Sequence, residues 1–384
     1  MYDVIVVGAG PAGSSAARQC AQNGLKTLLL DKSNFPREKL CGGAVSENAL
    51  SQLDFELPSE LMERDIYGAR VHFGESVIEI RKEYRIAVLV SRYKFDHFLL
   101  IKAQEAGVKV IEGARVTAIK LASKYAEVVT DNTKYQCRIV IGCDGFNSKV
   151  AQYVRRRDRP IEYGNCLEVF IQAEDSKINQ YIKDAIEIHL GGIRYGYGWV
   201  FPHKEYFSVG IGGNAYYLKE PKDTMKKFLK LTRFDIESNI QGHPIPAGGV
   251  HRKIIADRII LAGDAAGFVD SFIGEGIAYA IQSGHLAAIT AASALTTGDC
   301  STRNLKSYVH DCRKEFGISL WYSLNLSRLT YRYPQFFLKL MASRTEVLDK
   351  FFEIPARNET YKDFFFWLLP RLPFYLIKIL FRGN

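Results

Sequence analysis

The 384 residues are enough for two domains, or for one large cofactor domain with a cap. A hydrophobic content of 47% excludes wholesale disorder. The formal net charge of +9 fits an anionic partner (a phosphate-bearing substrate or a membrane surface) as readily as an ordinary basic protein, and the longest basic run, Arg155 to Arg159, reads as a solvated face.

The chain opens on "YDVIVV" (2–7), a nearly continuous apolar run expected of a parallel strand buried on both faces. Gly8 to Gly13 turn it, "SSAARQCAQN" follows as a helix closed by Gly24, and "KTLLLD" (26–31) is the second strand. Residues 45–90 are mixed, with alternating runs such as "SVIEI" and "IAVLV". Residues 94–107 read as an amphipathic helix, and "VKVIEG", "RVTAIKLA", "AEVVTD" and "CRIVIGCDG" as strands. From 151 to 245 short strand-like runs separated by turns predict an antiparallel sheet. "RIILAGDAAG" (258–267) is again a buried strand ending in a glycine turn, followed by a long helix from Gly276. Beyond 301 the chain is helical and aromatic.

The expected fold is therefore α/β (α+β), with a Rossmann-like dinucleotide-binding domain, an inserted antiparallel-sheet substrate domain and a helical C-terminal region. The expected boundaries are 1–150 with 246–300 for the first domain, 151–245 for the second and 301–384 for the third. Seven scattered cysteines contain no Cys-x-x-Cys, so no zinc or iron–sulfur site is expected, and a reducing cytosol suits them. No signal peptide is expected, because the first strand begins at once and its apolar run is too short for an h-region. The tail from Phe364 is apolar and carries basic residues but no acid, and Pro370, Arg371, Pro373 and Lys378 interrupt it. It suits a helix lying in a bilayer interface or one packed on the body of the protein, and not a spanning helix. The expected location is cytoplasmic, with peripheral attachment to the inner face of the cell membrane left open.

Gly8, Gly10 and Gly13 form a G-x-G-x-x-G between strand and helix. The first glycine permits the turn, the second admits a pyrophosphate, and the third lets helix and strand pack closely. The helix N-terminus offers unpaired N–H groups to the phosphates. Asp31, 18 residues after Gly13, ends the second strand, where a carboxylate can take ribose hydroxyls. This fingerprint does not separate NAD from FAD.

Other segments do. "CDGFNSKV" (143–150) resembles the Asp-Gly motif of the flavoprotein hydroxylase class. "LAGDAAGFVDSFIGEGIAYAIQSG" (261–284) resembles its Gly-Asp motif, whose aspartate binds the ribityl chain of FAD, and Arg92 sits where that class carries an arginine near the cofactor. More narrowly, "KLCGGAV" (39–45) resembles the cysteine–glycine segment of the geranylgeranyl reductase family, which includes archaeal digeranylgeranylglycerophospholipid reductases. Tyr197, Trp199, Phe201 and Pro202, followed by Gly210-Ile211-Gly212, match that family's Y-x-W-x-F-P…G-x-G pattern.

The resemblance implies FAD as cofactor, contacted by Ala12, Asp31, Cys41, Gly42, Ala44, Arg92, Val116, Asp264, Gly276 and Ile277. It implies an apolar wall for an isoprenoid at Tyr197, Trp199, Phe201 and Pro202. The implied reaction saturates carbon–carbon double bonds of a polyprenyl group, with hydride from N5 of reduced flavin and Cys41 as candidate proton source. Bland readings stand beside these: Cys41 as a buried space-filling thiol, Asp264 as a turn or cap aspartate, and Trp199 and Phe201 as ordinary sheet core. Flavin monooxygenation or halogenation of an aromatic or apolar substrate is the alternative reaction, and electron transfer to quinone and a non-catalytic lipid carrier are weaker ones. Only one G-x-G-x-x-G opens a helix, so the expected electron donor is external, NAD(P)H or a ferredoxin-like protein. No nucleic-acid partner and no metal are expected.

Overall fold

The computed structural model describes residues 1–234, 239–247 and 251–375. The end of the apolar tail, including Lys378, lies outside them. The chain forms two compact units. One combines Met1–Lys39, Arg92–Asp158 and Pro246–Trp321, and the other Leu40–Ser91, Arg159–Ile245 and Tyr322–Asn384. This division differs from the sequence boundaries: residues 151–158 go with the first unit, and 322–384 join the second unit and form no separate region. Residues 40–91, expected in the first domain, go with the second sheet, and residues 301–321 go with the first.

The first unit is built on strands in the order Lys109–Ile111, Thr27–Leu30, Tyr2–Val7, Lys134–Gly142, Ile259–Leu261, Ile255–Ala256. All pairs are parallel except the last. Val4, Ile5, Val6, Leu28, Leu29, Leu30, Ile139, Val140 and Ile141 are wholly buried, which is why these strands read as unbroken apolar runs. The hairpin Val116–Leu121 and Ala126–Thr130 joins the sheet antiparallel through the start of Lys134–Gly142. Helices Pro11–Gln22 and Ile277–Thr297 meet through small residues. A Cβ at Gly284 would stand 2.4 Å from the Ala12 carbonyl oxygen. Residues after 301 stay with this unit because Tyr308, fully buried, donates to the Leu261 carbonyl at 2.7 Å.

The second unit carries a seven-stranded sheet, ordered Gln241–Pro246, Tyr163–Gln172, Tyr206–Asn214, Gly196–Pro202, Ala185–Leu190, Gly68–Phe73, Ser76–Arg81. The expected antiparallel sheet is present but mixed, because Ala185–Leu190 pairs parallel with Gly68–Phe73. That pairing draws the 45–90 stretch into this unit. One face is covered by helix Pro221–Leu231, whose Met225, Phe228 and Leu229 pack with Val200, Val209 and Ile211. A small sheet of Ala44–Ser46, Ala87–Leu89 and Arg64–Ile66 stands beside it. Lys82 ties the helical C-terminal region to this unit through Asp349 and Glu353, each at 2.6 Å.

Candidate functional site

The sequence-predicted residues fall into two sets, one in each unit. In the first unit the three glycines do three different things. Gly8 has φ +99°, a left-handed conformation that glycine adopts without strain, and a Cβ there would lie 2.4 Å from the Cys143 carbonyl oxygen. At Gly13 it would lie 1.7 Å from the Gly8 oxygen, so glycine is obligatory for the strand–helix contact. At Gly10, the cap of helix Pro11–Gln22, the nearest atom is Arg37 Nη2 at 3.6 Å. The protein leaves room in front of Gly10 and none around Gly13, the arrangement that a pyrophosphate over a helix N-terminus requires. Ala12 is buried against Gly263 and Gly284, so its side chain serves helix packing and only its backbone remains for a ligand.

Asp31 is buried, and part of its carboxylate is already used. One oxygen accepts from the Ala9 N–H at 2.7 Å and the other from Ser33 N–H at 2.8 Å. It pins the glycine loop as well as offering its remaining lone pairs to a ribose. Arg92 opens helix Arg92–Glu105 and grips wholly buried Asp96 at 2.7 and 2.9 Å, and Arg37 reaches the same carboxylate at 2.9 Å. Two guanidinium groups on one carboxylate leave net positive charge near Gly10, suited to phosphate. Val116 is buried at the start of its strand.

Asp264 lies in the short helix Gly263–Ala266 rather than at a strand end. Burial pushes its pKa up, while the charges of Lys39 and Arg92 oppose the rise. No described residue gives its side chain a hydrogen bond, and a Cβ at Gly276 would lie 3.7 Å from its Oδ1. Gly276 caps helix Ile277–Thr297 and, having no side chain, gives its first amides no cap of its own. A half-buried carboxylate beside the N-terminus of a long helix fits the polyol chain and polar ring edge of FAD. Asp144, in the Asp-Gly motif, instead caps its own turn, accepting from Ser148 Oγ and from the N–H groups of Lys149 and Val150.

In the second unit the cysteine–glycine segment lies on the strand Gly196–Pro202. A Cβ at Gly42 would meet the Phe201 ring at 2.8 Å and Trp199 Nε1 at 3.3 Å. Gly43 has φ +73°, and a Cβ there would lie 2.4 Å from the Val90 carbonyl oxygen and 2.7 Å from His203 Cε1. The glycines are thus required by their own unit, a role distinct from close approach to a cofactor. Ala44 begins the strand that pairs with Ala87–Leu89, and Cys41 is free and half-buried.

The Y-x-W-x-F-P…G-x-G pattern has a direct physical cause. Trp199 pairs with Gly210 and Tyr197 with Gly212 on the adjacent strand. A Cβ at Gly210 would stand 2.2 Å from the indole, so the glycine is the seat of Trp199. Trp199 is buried and donates to Ser208 Oγ at 3.1 Å, which donates to buried Glu168 at 2.5 Å. Strand alternation puts Tyr197, Trp199 and Phe201 on one face. Pro202 falls on the other face with Gly198 and Val200, toward helix Pro221–Leu231, so it does not share the proposed wall. Tyr197 and Phe201 remain partly accessible.

Two arrangements lie outside the motifs that the sequence carries. His203, directly after Pro202, bridges Glu63 Oε2 (2.5 Å) and the Gly42 carbonyl oxygen (3.1 Å). On the Phe228 side of the sheet, Arg70 and His72 register against Glu187 and His189. The two imidazoles stack at 4.0 Å beside buried Glu187, which accepts from Arg70 at 3.0 Å and Tyr181 at 2.9 Å. Spacing of i, i+2 on two strands (R-x-H and E-x-H) was the available clue, invisible without knowing that the strands pair.

A family profile described as an FAD binding domain matches residues 1–191. A digeranylgeranylglycerophospholipid reductase from Methanosphaera stadtmanae is 32% identical over 80% of this chain and 82% of its own length. A geranylgeranyl diphosphate reductase from Rhodobacter capsulatus is 31% identical over 86% of this chain and 90% of its own. The chain belongs to the geranylgeranyl reductase family. It is an FAD-dependent oxidoreductase, and the open cradle at Gly10 and the half-buried Asp264 carboxylate fit that cofactor. Among solved structures, a geranylgeranyl bacteriochlorophyll reductase-like protein from Thermoplasma acidophilum shares the fold with a TM-score of 0.80. It has 24% identity and covers 98% of this chain and 99% of that one. A flavin-dependent brominase shares the fold more distantly, with a TM-score of 0.69 and 20% identity. Among the described residues no helix is long and apolar enough to cross a membrane.

Proposed function

We propose that this geranylgeranyl reductase family member saturates carbon–carbon double bonds of a polyprenyl group carried on a lipid or isoprenoid. The observation that carries the reading is the family's aromatic strand, Tyr197 to Phe201, seated on Gly210 and Gly212 with the Cys41–Gly43 segment packed against it. Names of the curated relatives support the substrate class. The halogenase reading has less support, since those structures are the more distant in sequence.

When bound, reduced FAD would supply the hydride. The chain's own residues do the rest. The Gly8–Gly13 loop, Arg92 and Asp264 bind and orient the cofactor. Tyr197 and Phe201 give an apolar face that keeps water from an unactivated alkene. Such an alkene has no carbonyl to hold charge, so a proton must reach one carbon as hydride reaches the other. We assign that proton to the Cys41 thiol. Electrons come from an external donor, NAD(P)H or a ferredoxin-like protein, because among the described residues a single G-x-G-x-x-G opens a helix. The segment Tyr361–Leu368 and the turn after it expose Phe366, Leu369 and Phe374 beside Arg371, a composition suited to a lipid surface.

Steady-state assays with prenyl chains of two lengths test the reading. Phe201→Ala raises KM about tenfold for the longer chain, by loss of apolar contact, and leaves flavin reduction by dithionite intact. Cys41→Ala lowers kcat in the same assay. Unchanged KM and kcat in both variants would remove these residues from the site.

A further inference from the structure

His203 is 1% exposed and is held on every side within its unit. Its N–H donates to the Tyr206 carbonyl at 2.9 Å, and its own carbonyl accepts from Arg64 at 3.3 Å. Its ring stacks on Tyr206 at 4.3 Å, and the Tyr206 hydroxyl donates to Glu63 at 3.2 Å. Nδ1 meets Glu63 Oε2 at 2.5 Å and Nε2 meets the Gly42 carbonyl oxygen at 3.1 Å. A carbonyl oxygen only accepts, so Nε2 is the donor to Gly42, and the Glu63 contact at Nδ1 holds the ring in that orientation. The Gly43 carbonyl is committed as well, accepting from Val90 N–H at 2.9 Å. The Gly42–Gly43 peptide is planar and trans, so fixing its oxygen on His203 turns the Gly43 N–H the opposite way. The ring needs the space that a side chain at Gly43 would occupy.

We propose that His203, held by Glu63, is a positioning residue that clamps the Gly42–Gly43 peptide and thereby sets the place of the Cys41 thiol. Its importance for turnover rests on the reductase reading above, whereas the clamp itself does not. Without the bond, the segment keeps its Val90 contact and loses its anchor next to Cys41. The thiol then samples more open positions.

The test is the rate at which iodoacetamide alkylates Cys41 in the FAD-loaded protein, read by mass spectrometry of its peptide. Cys166, the other half-buried thiol, serves as internal control. Losing a buried hydrogen bond of about 0.5–1.5 kcal/mol shifts a local opening equilibrium by up to about tenfold, so His203→Ala speeds Cys41 alkylation by about that factor. Glu63→Gln moves it the same way by less, and His203→Gln, which keeps one N–H donor, falls between wild type and alanine. Cys166 stays at its wild-type rate. Should His203→Ala fail to fold, the Glu63 and glutamine variants carry the test alone. Unchanged Cys41 rates in the folded variants, or equal acceleration of Cys166, would overturn the clamp. If Cys41 responds as expected while the wild-type protein reduces no prenyl lipid, the clamp stands and the functional reading falls.

Discussion

Replacing Gly43 by alanine isolates what the cysteine–glycine segment demands of its surroundings. Two costs combine there. The residue has φ +73°, and placing an L side chain in the left-handed region costs about 1–2 kcal/mol. Its Cβ would also stand 2.4 Å from the Val90 carbonyl oxygen, against 3.4–4 Å for ordinary contact. That oxygen belongs to backbone already hydrogen-bonded at Leu89, so it cannot swing aside as a side-chain tip could. Overpacking of this kind adds about 1–3 kcal/mol, for a total of about 2–5 kcal/mol. Gly74 is the control, with φ +62° and nothing within 4 Å, so alanine there carries the conformational cost alone. Gly42→Ala has no positive φ and meets the Phe201 ring at 2.8 Å, where a small ring shift relieves it, so its cost is about 1–2 kcal/mol. Urea unfolding followed by circular dichroism, at equal m-value, measures all three. Gly43→Ala should exceed Gly74→Ala by about 2 kcal/mol. Equal destabilisation of the two would refute the close approach to Val90 and His203.

Gly10→Ala should fold with near wild-type stability, because its Cβ meets only Arg37 Nη2 at 3.6 Å, yet bind FAD at least tenfold more weakly by fluorescence titration. Acid stability reports on Glu187. Burial raises its pKa, but bonds from His189, His72 and Tyr181 outweigh that and hold it below the ordinary carboxylate range. A depressed folded-state pKa contributes stability that is present above the unfolded value, about 4.3, and is lost as pH falls below it. Between pH 7 and pH 3, Glu187→Gln should therefore show a shallower loss of unfolding free energy than wild type. Parallel curves would deny the depression.

Local features of the fold were legible from sequence. Strand Tyr2–Val7, the glycine turn, helix Pro11–Gln22 and Asp31 lie within one short stretch, and a side chain would clash at Gly8 and Gly13 but not at Gly10. The unit to which residues 40–91 belong was not legible. It depends on Gly68–Phe73 pairing with Ala185–Leu190, a contact that brings Arg70 to Glu187 across 117 residues of chain. Trp199 and the two glycines were visible as a pattern, but the cross-strand seat that explains the pattern was not. His203 escaped notice because a single histidine after Phe-Pro carries no periodicity. Its partner Glu63 comes from a strand connection far away in sequence.

The central claim, reduction of prenyl double bonds, is tested most directly by mass spectrometry of a geranylgeranyl lipid after anaerobic incubation with the dithionite-reduced, FAD-loaded protein. The account predicts a lipid that gains two hydrogens for each bond saturated, and two deuteriums when flavin reduction and incubation are both run in deuterated water. Lipid recovered unchanged from protein whose flavin is reduced, or a product containing added oxygen once air is admitted, would contradict it.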